Sequence, residues 1–336
     1  MMRYTLINNI EKIVIIFLEN LISCSSGIFK FRRRRTMPLL ERIVTYRLLS
    51  FQRSSLCFYI LMEVHKILLS GGVCTLRELF YNDPAKCCKT VSICSSLKDV
   101  CALLHTTPWN LRIFASGKGL IAGAIRFLMI NGDMIDCYTY GGAVVLPQDQ
   151  NSIDRLETSA SFVLLVEKNT IFSKLLSQKI FEVIGVDIIL ITGKGYPDLC
   201  TRYIVNRLSA EHKLPVYALF DADPYGIDIL LTYQFGSRKM SREMLKNLIC
   251  PHIRWLGIHP TELKMFNFSS MALTENDNRK LQNMLGYNHL KFSLRYELQT
   301  LQNLQRKAHI DDLNSISNNF LINDYVPNKI RRNLVI

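Results

Sequence analysis

The sequence predicts a chain in two parts: an α+β N-terminal part built as a helix-turn-helix with a wing, and an α/β C-terminal part built on a parallel sheet. Three observations carry that reading. Residues 54–104 hold three helical patterns separated by tight turns. Behind them, residues 111–140 hold three strand-like runs punctuated by glycine. Beyond a polar, turn-rich link at residues 147–151, short continuous apolar strands alternate with helices, the pattern of right-handed β-α-β units.

Bulk properties agree. The 336 residues carry 41 Lys and Arg against 28 Asp and Glu, a formal charge of +13 that calls for an anionic partner. With 49% hydrophobic residues the chain can bury a core, which excludes a disordered polyelectrolyte. At roughly 100–200 residues per domain, two domains are expected. The best apolar run, residues 13–18, is far short of the about 18 residues a membrane helix needs, so an integral membrane protein is excluded. Glu11 and Lys12 abut that run, which also argues against a secretory signal. The 10 cysteines form no C-x-x-C pair, so reduced, buried thiols are expected rather than a zinc site or a disulfide framework.

Taken in order, residues 1–45 hold an amphipathic helix over residues 4–24, with Leu6, Ile10, Ile13, Val14, Phe17, Leu18 and Leu21 at helical spacing. A basic link with Arg32, Arg33, Arg34 and Arg35 follows; such a run is a solvated stretch, a phosphate clamp or a nuclear address. Ten of the Lys and Arg and three of the acids fall in the first sixty residues, so the basic bias is concentrated there. Residues 46–146 form the winged-helix part. Its first helix, residues 54–70, stops at Gly71-Gly72, and Thr75-Leu76-Arg77-Glu78 opens a second with a capping box. Asn82-Asp83-Pro84 ends that helix, a third spans residues 91–104, and strands over residues 111–115, 125–130 and 134–140 supply the wing of a DNA-binding design.

Residues 152–336 form the sheet domain and a C-terminal extension. Strands are expected at residues 162–166, 187–192 and 216–220, with helices at 170–184 and 197–208 between them. Such sheets carry function at the carboxyl ends of their strands. Glu167 directly follows the first strand, and Asp221 and Asp223 the third. Hard oxygen ligands without His or Cys suit Mg²⁺, although each carboxylate could instead cap a helix or join an ion pair. Lys194 between Gly193 and Gly195 fails the nucleotide-loop spacing, because Ile188 stands where the first glycine is required.

Tyr81 is the candidate nucleophile. It lies four residues after Arg77, on the same helical face. A free tyrosine, with a reference pKa of about 10, is ionised to only about one part in a thousand at pH 7. A cation must help, and the guanidinium of Arg77 matches either a phenolate or a phosphate.

These residues form a recognisable set. Leu76-Arg77-Glu78-Leu79-Phe80-Tyr81 resembles the catalytic segment of the DNA topoisomerase VI A-subunit family, which includes eukaryotic meiotic double-strand-break proteins. Lys118-Gly119-Leu120 followed by Gly123 is similar to its K-G-L-x-x-G element. Residues 162–167, 192–198 and 221–226 resemble its Toprim domain in order and spacing, with weaker agreement at Trp255-Leu256-Gly257 and residues 325–330. Phe80 replaces a tyrosine that many relatives carry beside the nucleophile, and residues 85–96 are unusually rich in cysteine.

The resemblance implies a type II topoisomerase-like transesterase acting on double-stranded DNA. Tyr81 would attack a phosphodiester to leave a 5′-phosphotyrosyl link, with Mg²⁺ at Glu167, Asp221 and Asp223. Arg77 and Lys118 would contact phosphate. It further implies a homodimer, a partner like the topoisomerase VI B-subunit docked on the N-terminal helix, accessory meiotic proteins, a nuclear and chromosomal location, and no directly bound ATP. A Toprim-type hydrolytic nuclease and an inactive DNA-binding scaffold remain as alternatives.

Overall fold

Helical spacing of apolar residues builds the first element, α1 (Met2–Ile22), whose Leu6, Ile7 and Ile10 are buried against α2 (Phe51–Ser70). The computed structural model describes residues 2–22, 30–31, 47–48, 51–82, 90–114, 117–138, 142–236, 247–265 and 270–336. The arginine run at residues 32–35 lies outside these, as does the pair Cys87-Cys88. Strands β1 (Lys30–Phe31) and β2 (Arg47–Leu48) pair antiparallel. Then come β3 (Cys74–Thr75), α3 (Leu76–Tyr81), α4 (Thr90–Leu103) and β4 (Ile113–Phe114), with β3 and β4 parallel. Ile60, Val64, Leu79, Ile93, Val100 and Leu111 close the core of this helix-turn-helix unit.

The second compact unit begins at Gly117, well before the polar link expected to separate the two parts, and residues 148–150 group with the first unit. Its elements are β5 (Leu120–Gly123), β6 (Ile125–Met129), β7 (Met134–Asp136), β8 (Val144–Val145), β9 (Ile153–Thr158) and β10 (Phe162–Val166). They continue with α5 (Asn169–Ser177), α6 (Ile180–Ile184), β11 (Ile188–Thr192), α7 (Leu199–Ala210), β12 (Val216–Leu219), α8 (Pro224–Phe235) and β13 (Arg254–Gly257). Short β14 (Met271–Ala272), α9 (Glu275–Leu285), α10 (Phe292–Leu304), β15 (Arg306–Lys307) and α11 (Val326–Arg331) complete it.

The strands expected to form a wing behave differently. Of these, β4 pairs parallel with β3 in the first unit, while β6 and β7 join β9 in a separate antiparallel sheet of the second unit; β5, where the sequence predicts no strand, joins the main sheet antiparallel to β11. Short alternating strands carry no label for their partner, and the core formed by Ile121, Ile125 and Phe127 with Val163 and Ile189 decides their placement. The helix expected over residues 170–184 is two helices, because Lys179 turns left-handed (φ 57°) while the apolar spacing runs on across the break.

The main sheet has the order β13-β12-β10-β11-β5-β8, with β10 to β13 mutually parallel. β10 is buried at every position, as its continuous apolar run requires when helices cover both faces. The chain passes from β10 to β11 on one side and returns to place β12 on the other. The carboxyl ends of β10 and β12 therefore flank a switch point, where side chains of α/β sheets converge on ligands. Two late motifs meet in one joint: a side chain at Gly257 would collide with the Tyr325 hydroxyl, which donates 2.7 Å to Glu262. Glu262 also pairs with the buried Lys329 at 2.6 Å.

Among the described residues, six free cysteines are buried and Cys94 is exposed. Burial pushes the thiols of Cys101 and Cys137 up to about 12, so they stay protonated. No helix among the described residues is long and apolar enough to cross a membrane.

Candidate functional site

In the first unit, α3 is fixed at both ends. The Thr75 hydroxyl accepts from the Glu78 amide at 3.1 Å while the Glu78 carboxylate accepts from the Thr75 amide at 2.6 Å, the reciprocal cap its sequence predicts. Leu79 is wholly buried, and the Tyr59 hydroxyl donates to its carbonyl at 3.0 Å. Those anchors leave Tyr81 at the helix end, 69% exposed, with Phe80 edge-on at 5.4 Å. Arg77 is exposed one turn earlier.

In the second unit the three carboxylates sit at the switch point. Glu167, one residue past β10, accepts from the Asp221 amide at 2.9 Å. Asp221 is fully buried; its Oδ1 accepts from the Ile310 amide at 2.9 Å. Asp223 caps α8, its Oδ1 accepting from the amides of Tyr225 and Gly226 at 2.8 and 2.6 Å. The capping role weighed as an alternative to metal binding is thus real, yet it uses one oxygen and leaves Oδ2 turned to the cluster. Gly226 is required here, since a Cβ would lie 2.6 Å from the Asp221 carbonyl and 3.0 Å from Glu167 Oε2.

Two residues that the sequence reading passed over complete the arrangement. His309 Nδ1 lies 2.6 Å from Asp221 Oδ2 and 4.0 Å from Asp223 Oδ2, and the ligand atoms of these three residues all fall within 4.8 Å of one another. Glu167 stands outside that group of three. Lys168 Nζ lies 2.7 Å from the same Asp221 oxygen. Lys168 could have been suspected from its place beside Glu167. His309 has no local signal: an antiparallel bridge between Ala222 and Ala308 delivers it from far along the chain.

The charges at this edge respond to one another. Burial, then the charge of Asp221, pushes Glu167 up to about 8. Burial works against ionised Asp221 as well, but the hydrogen bond from His309 and the Lys168 ammonium hold its carboxyl below the usual range. Burial raises Asp223, partly offset by the Gly226 amide. His309 is raised mainly by its hydrogen bond to Asp221.

Lys118 is exposed, and its ammonium donates to the Lys194 carbonyl at 3.1 Å. Asp198 holds the two glycine-containing motifs together. Its Oδ2 accepts from the amides of Lys118 and Gly119 at 2.9 and 3.4 Å, and its Oδ1 from the amide and hydroxyl of Thr201 at 2.7 and 2.8 Å. A side chain at Gly119 would collide with Thr201. Lys194 sits at φ 52° in the turn after β11, and the Gly195 amide donates to the Glu167 carbonyl at 2.8 Å. Tyr81 and Arg77 therefore belong to one unit, and Glu167, Asp221, Asp223 and Lys118 to the other.

An acid-edged parallel sheet following a helix-turn-helix that presents a tyrosine defines the topoisomerase A-subunit class of architecture. Two family models match in that order: type IIB DNA topoisomerase over residues 52–113, and the Toprim domain of the topoisomerase 6 A-subunit and Spo11 over residues 162–330. The chain is 42% identical to meiotic recombination protein W68 of Drosophila melanogaster, over 98% of both chains. It is 35% identical to meiotic recombination protein SPO11 of Homo sapiens, over 84% of this chain and 72% of that one. Against the DNA topoisomerase 6 A-subunit of Arabidopsis thaliana the identity is 32%, over 84% and 67%. The chain belongs to the family of the topoisomerase 6 A-subunit and Spo11.

Proposed function

We propose that the chain is a DNA-cleaving transesterase that makes the meiotic double-strand breaks from which homologous recombination starts. The observation that carries this reading is the pairing, in one chain, of an exposed tyrosine on a capped helix with a buried carboxylate cluster at a sheet switch point. Similarity to two meiotic recombination proteins supports the meiotic branch.

In this mechanism the Tyr81 oxygen bonds to the phosphorus of a phosphodiester as the bond from phosphorus to the 3′ oxygen breaks. The phenol gives its proton to solvent, and the 3′ oxygen takes one up to leave as a hydroxyl. One phosphoester replaces another, so the reaction calls for no bound ATP. Arg77 and Lys118 are assigned to phosphate contacts. Cutting both strands takes two tyrosines and hence two copies, the tyrosine of each serving the acidic pocket of the other.

Glu167, Asp221 and Asp223 are the proposed holders of Mg²⁺. The donor set fits: these are hard oxygens, and burial, then the neighbouring Asp221 charge, penalises ionised Glu167, a cost that a bound cation would offset. The ion, when bound, supplies positive charge against the phosphate. The exposed Tyr4, Ile15, Ile16 and Leu18 of α1 support docking of a B-type partner on that helix. So does a cavity of about 650 Å³ lined by Ile10, Val14, Phe58 and Met62. A nuclear, chromosomal location and accessory meiotic proteins follow from the same reading.

The test is to denature the DNA-bound protein rapidly and recover attached DNA. Wild type carrying 5′-linked DNA, with none on Tyr81→Phe, is the expected result. Breaks with protein-free ends from both would favour a hydrolytic nuclease, and binding without breaks a scaffold. Deleting α1 is expected to abolish co-purification with a B-type partner.

A further inference from the structure

The acidic edge holds two basic side chains that the family reading leaves unassigned, and their geometries differ in kind. His309 is delivered by rigid main chain. Ala308 exchanges backbone hydrogen bonds with Ala222 at 3.0 and 3.3 Å, the His309 amide donates to Asp312 at 2.7 Å, and the Ile310 amide donates to Asp221 at 2.9 Å. Lys168 reaches the cluster on a flexible four-carbon stem. Its ammonium touches Asp221 Oδ2 at 2.7 Å, and Asp311, whose side chain is half exposed, stands 3.7 Å away as a second seat.

We infer that His309 is a ligand of the metal centre through Nδ1, beside Asp221 and Asp223, and that Lys168 is the counter-charge that withdraws toward Asp311 when the ion arrives. The inference rests on the divalent-ion reading above. Around an octahedral ion with bonds of about 2.1 Å, adjacent ligand atoms lie about 3 Å apart and opposite ones about 4 Å. The 4.0 Å from Nδ1 to Asp223 Oδ2 is close to the opposite-ligand distance, and the 2.6 Å hydrogen bond to Asp221 Oδ2 would open to about 3 Å as the ion displaces the Nδ1 proton to solvent. The ammonium of Lys168 shares the Asp221 oxygen with the ring and has somewhere else to go. An imidazole among oxygens shifts preference from Mg²⁺ toward Mn²⁺, since nitrogen ligands suit transition ions better than hard alkaline-earth ones. The site is thereby assigned a manganese preference that its carboxylates alone do not imply.

The experiment titrates the full-length chain with Mn²⁺ and with Mg²⁺ and reads affinity by calorimetry and ligand type by pulsed electron paramagnetic resonance. Wild type is expected to bind Mn²⁺ more tightly than Mg²⁺ and to show ¹⁴N coupling to the bound Mn²⁺. His309→Gln, which keeps a donor toward Asp221, is expected to lose that coupling and to weaken Mn²⁺ about 10-fold or more, with a smaller change for Mg²⁺. Lys168→Met is expected to move the other way and tighten both ions several-fold. Mn²⁺ bound by wild type without nitrogen coupling, or unaltered by His309→Gln, would reduce His309 to a residue that orients Asp221 and overturn the inference while sparing the metal reading. Weaker binding by Lys168→Met would overturn the counter-charge role. A folded wild type that binds neither ion would overturn both the inference and the metal reading beneath it.

Discussion

Tyr81 and Asp221 stand at opposite extremes of solvent exposure. The tyrosine is 69% exposed on a six-residue helix held by a capping box and one hydrogen bond from Tyr59. Asp221 is fully buried, with both oxygens engaged by the amide and imidazole of neighbouring Ile310 and His309 and by the distant Lys168 ammonium. On the proposed function, a nucleophile that must meet a polymer from outside can be left open, with only its backbone anchored. Like charges gathered in a buried pocket need fixed amides and counter-charges, because an unpaired buried carboxylate is costly. Chemistry at the helix end should therefore be separable from stability, and chemistry at the sheet edge should not.

Tyr81→Phe is the severest test of that contrast. It should lower covalent DNA attachment by at least about a thousandfold while leaving the thermal melting curve in place. A large loss of stability would show that the hydroxyl supports the fold. The second test concerns pH. Burial, then the nearby Lys329, lowers the His259 pKa to about 4, and the neutral ring accepts from Lys329 at 3.2 Å while donating to the Trp255 carbonyl at 2.9 Å. A depressed histidine contributes stability that is present above about pH 6.5 and is lost as pH falls toward 4. About 3 kcal/mol of the second unit's unfolding free energy should disappear across that window, and His259→Gln should flatten the dependence in urea titrations.

Gly226→Ala should cost about 1–3 kcal/mol in the same assay, because the Asp221 backbone and the Glu167 carboxylate leave no room for a methyl group. A neutral outcome would mean that the acidic edge yields more readily than its hydrogen bonds imply. The smallest effect belongs to the nucleophile's helix. Thr75→Ala removes one side of the cap and should destabilise the first unit by about 1 kcal/mol. Circular dichroism melts would register it, and a shift several times larger would show that α3 depends on its cap for more than its own ends.

Sequence legibility follows the same divide. Apolar runs ending in acid are local patterns, so β10 and β12 and the positions of Glu167, Asp221 and Asp223 could be read directly. The cap of α3 could be read because both partners lie within four residues. Partnership across distance could not. No strand is read at 120–123, where Gly119 and Gly123 punctuate the chain, and only the core it joins sends that segment to β11. Lys179 breaks a helix at a left-handed turn that a lysine does not advertise. His309 reaches the site through a single bridge between two alanines, a pairing with neither length nor periodicity to betray it.

Asp198 has a consequence for genetics. Its carboxylate is the common fastener of two loops, so alleles altering Asp198, Gly119 or Thr201 should fall into one phenotypic class, alike in severity and in temperature sensitivity. On the proposed function, a screen scored on recombination would file them beside lesions in the breakage chemistry itself. Partial rescue at lower growth temperature would tell the two groups apart, because a loosened fastener can be cooled back into place and a missing reactive group cannot.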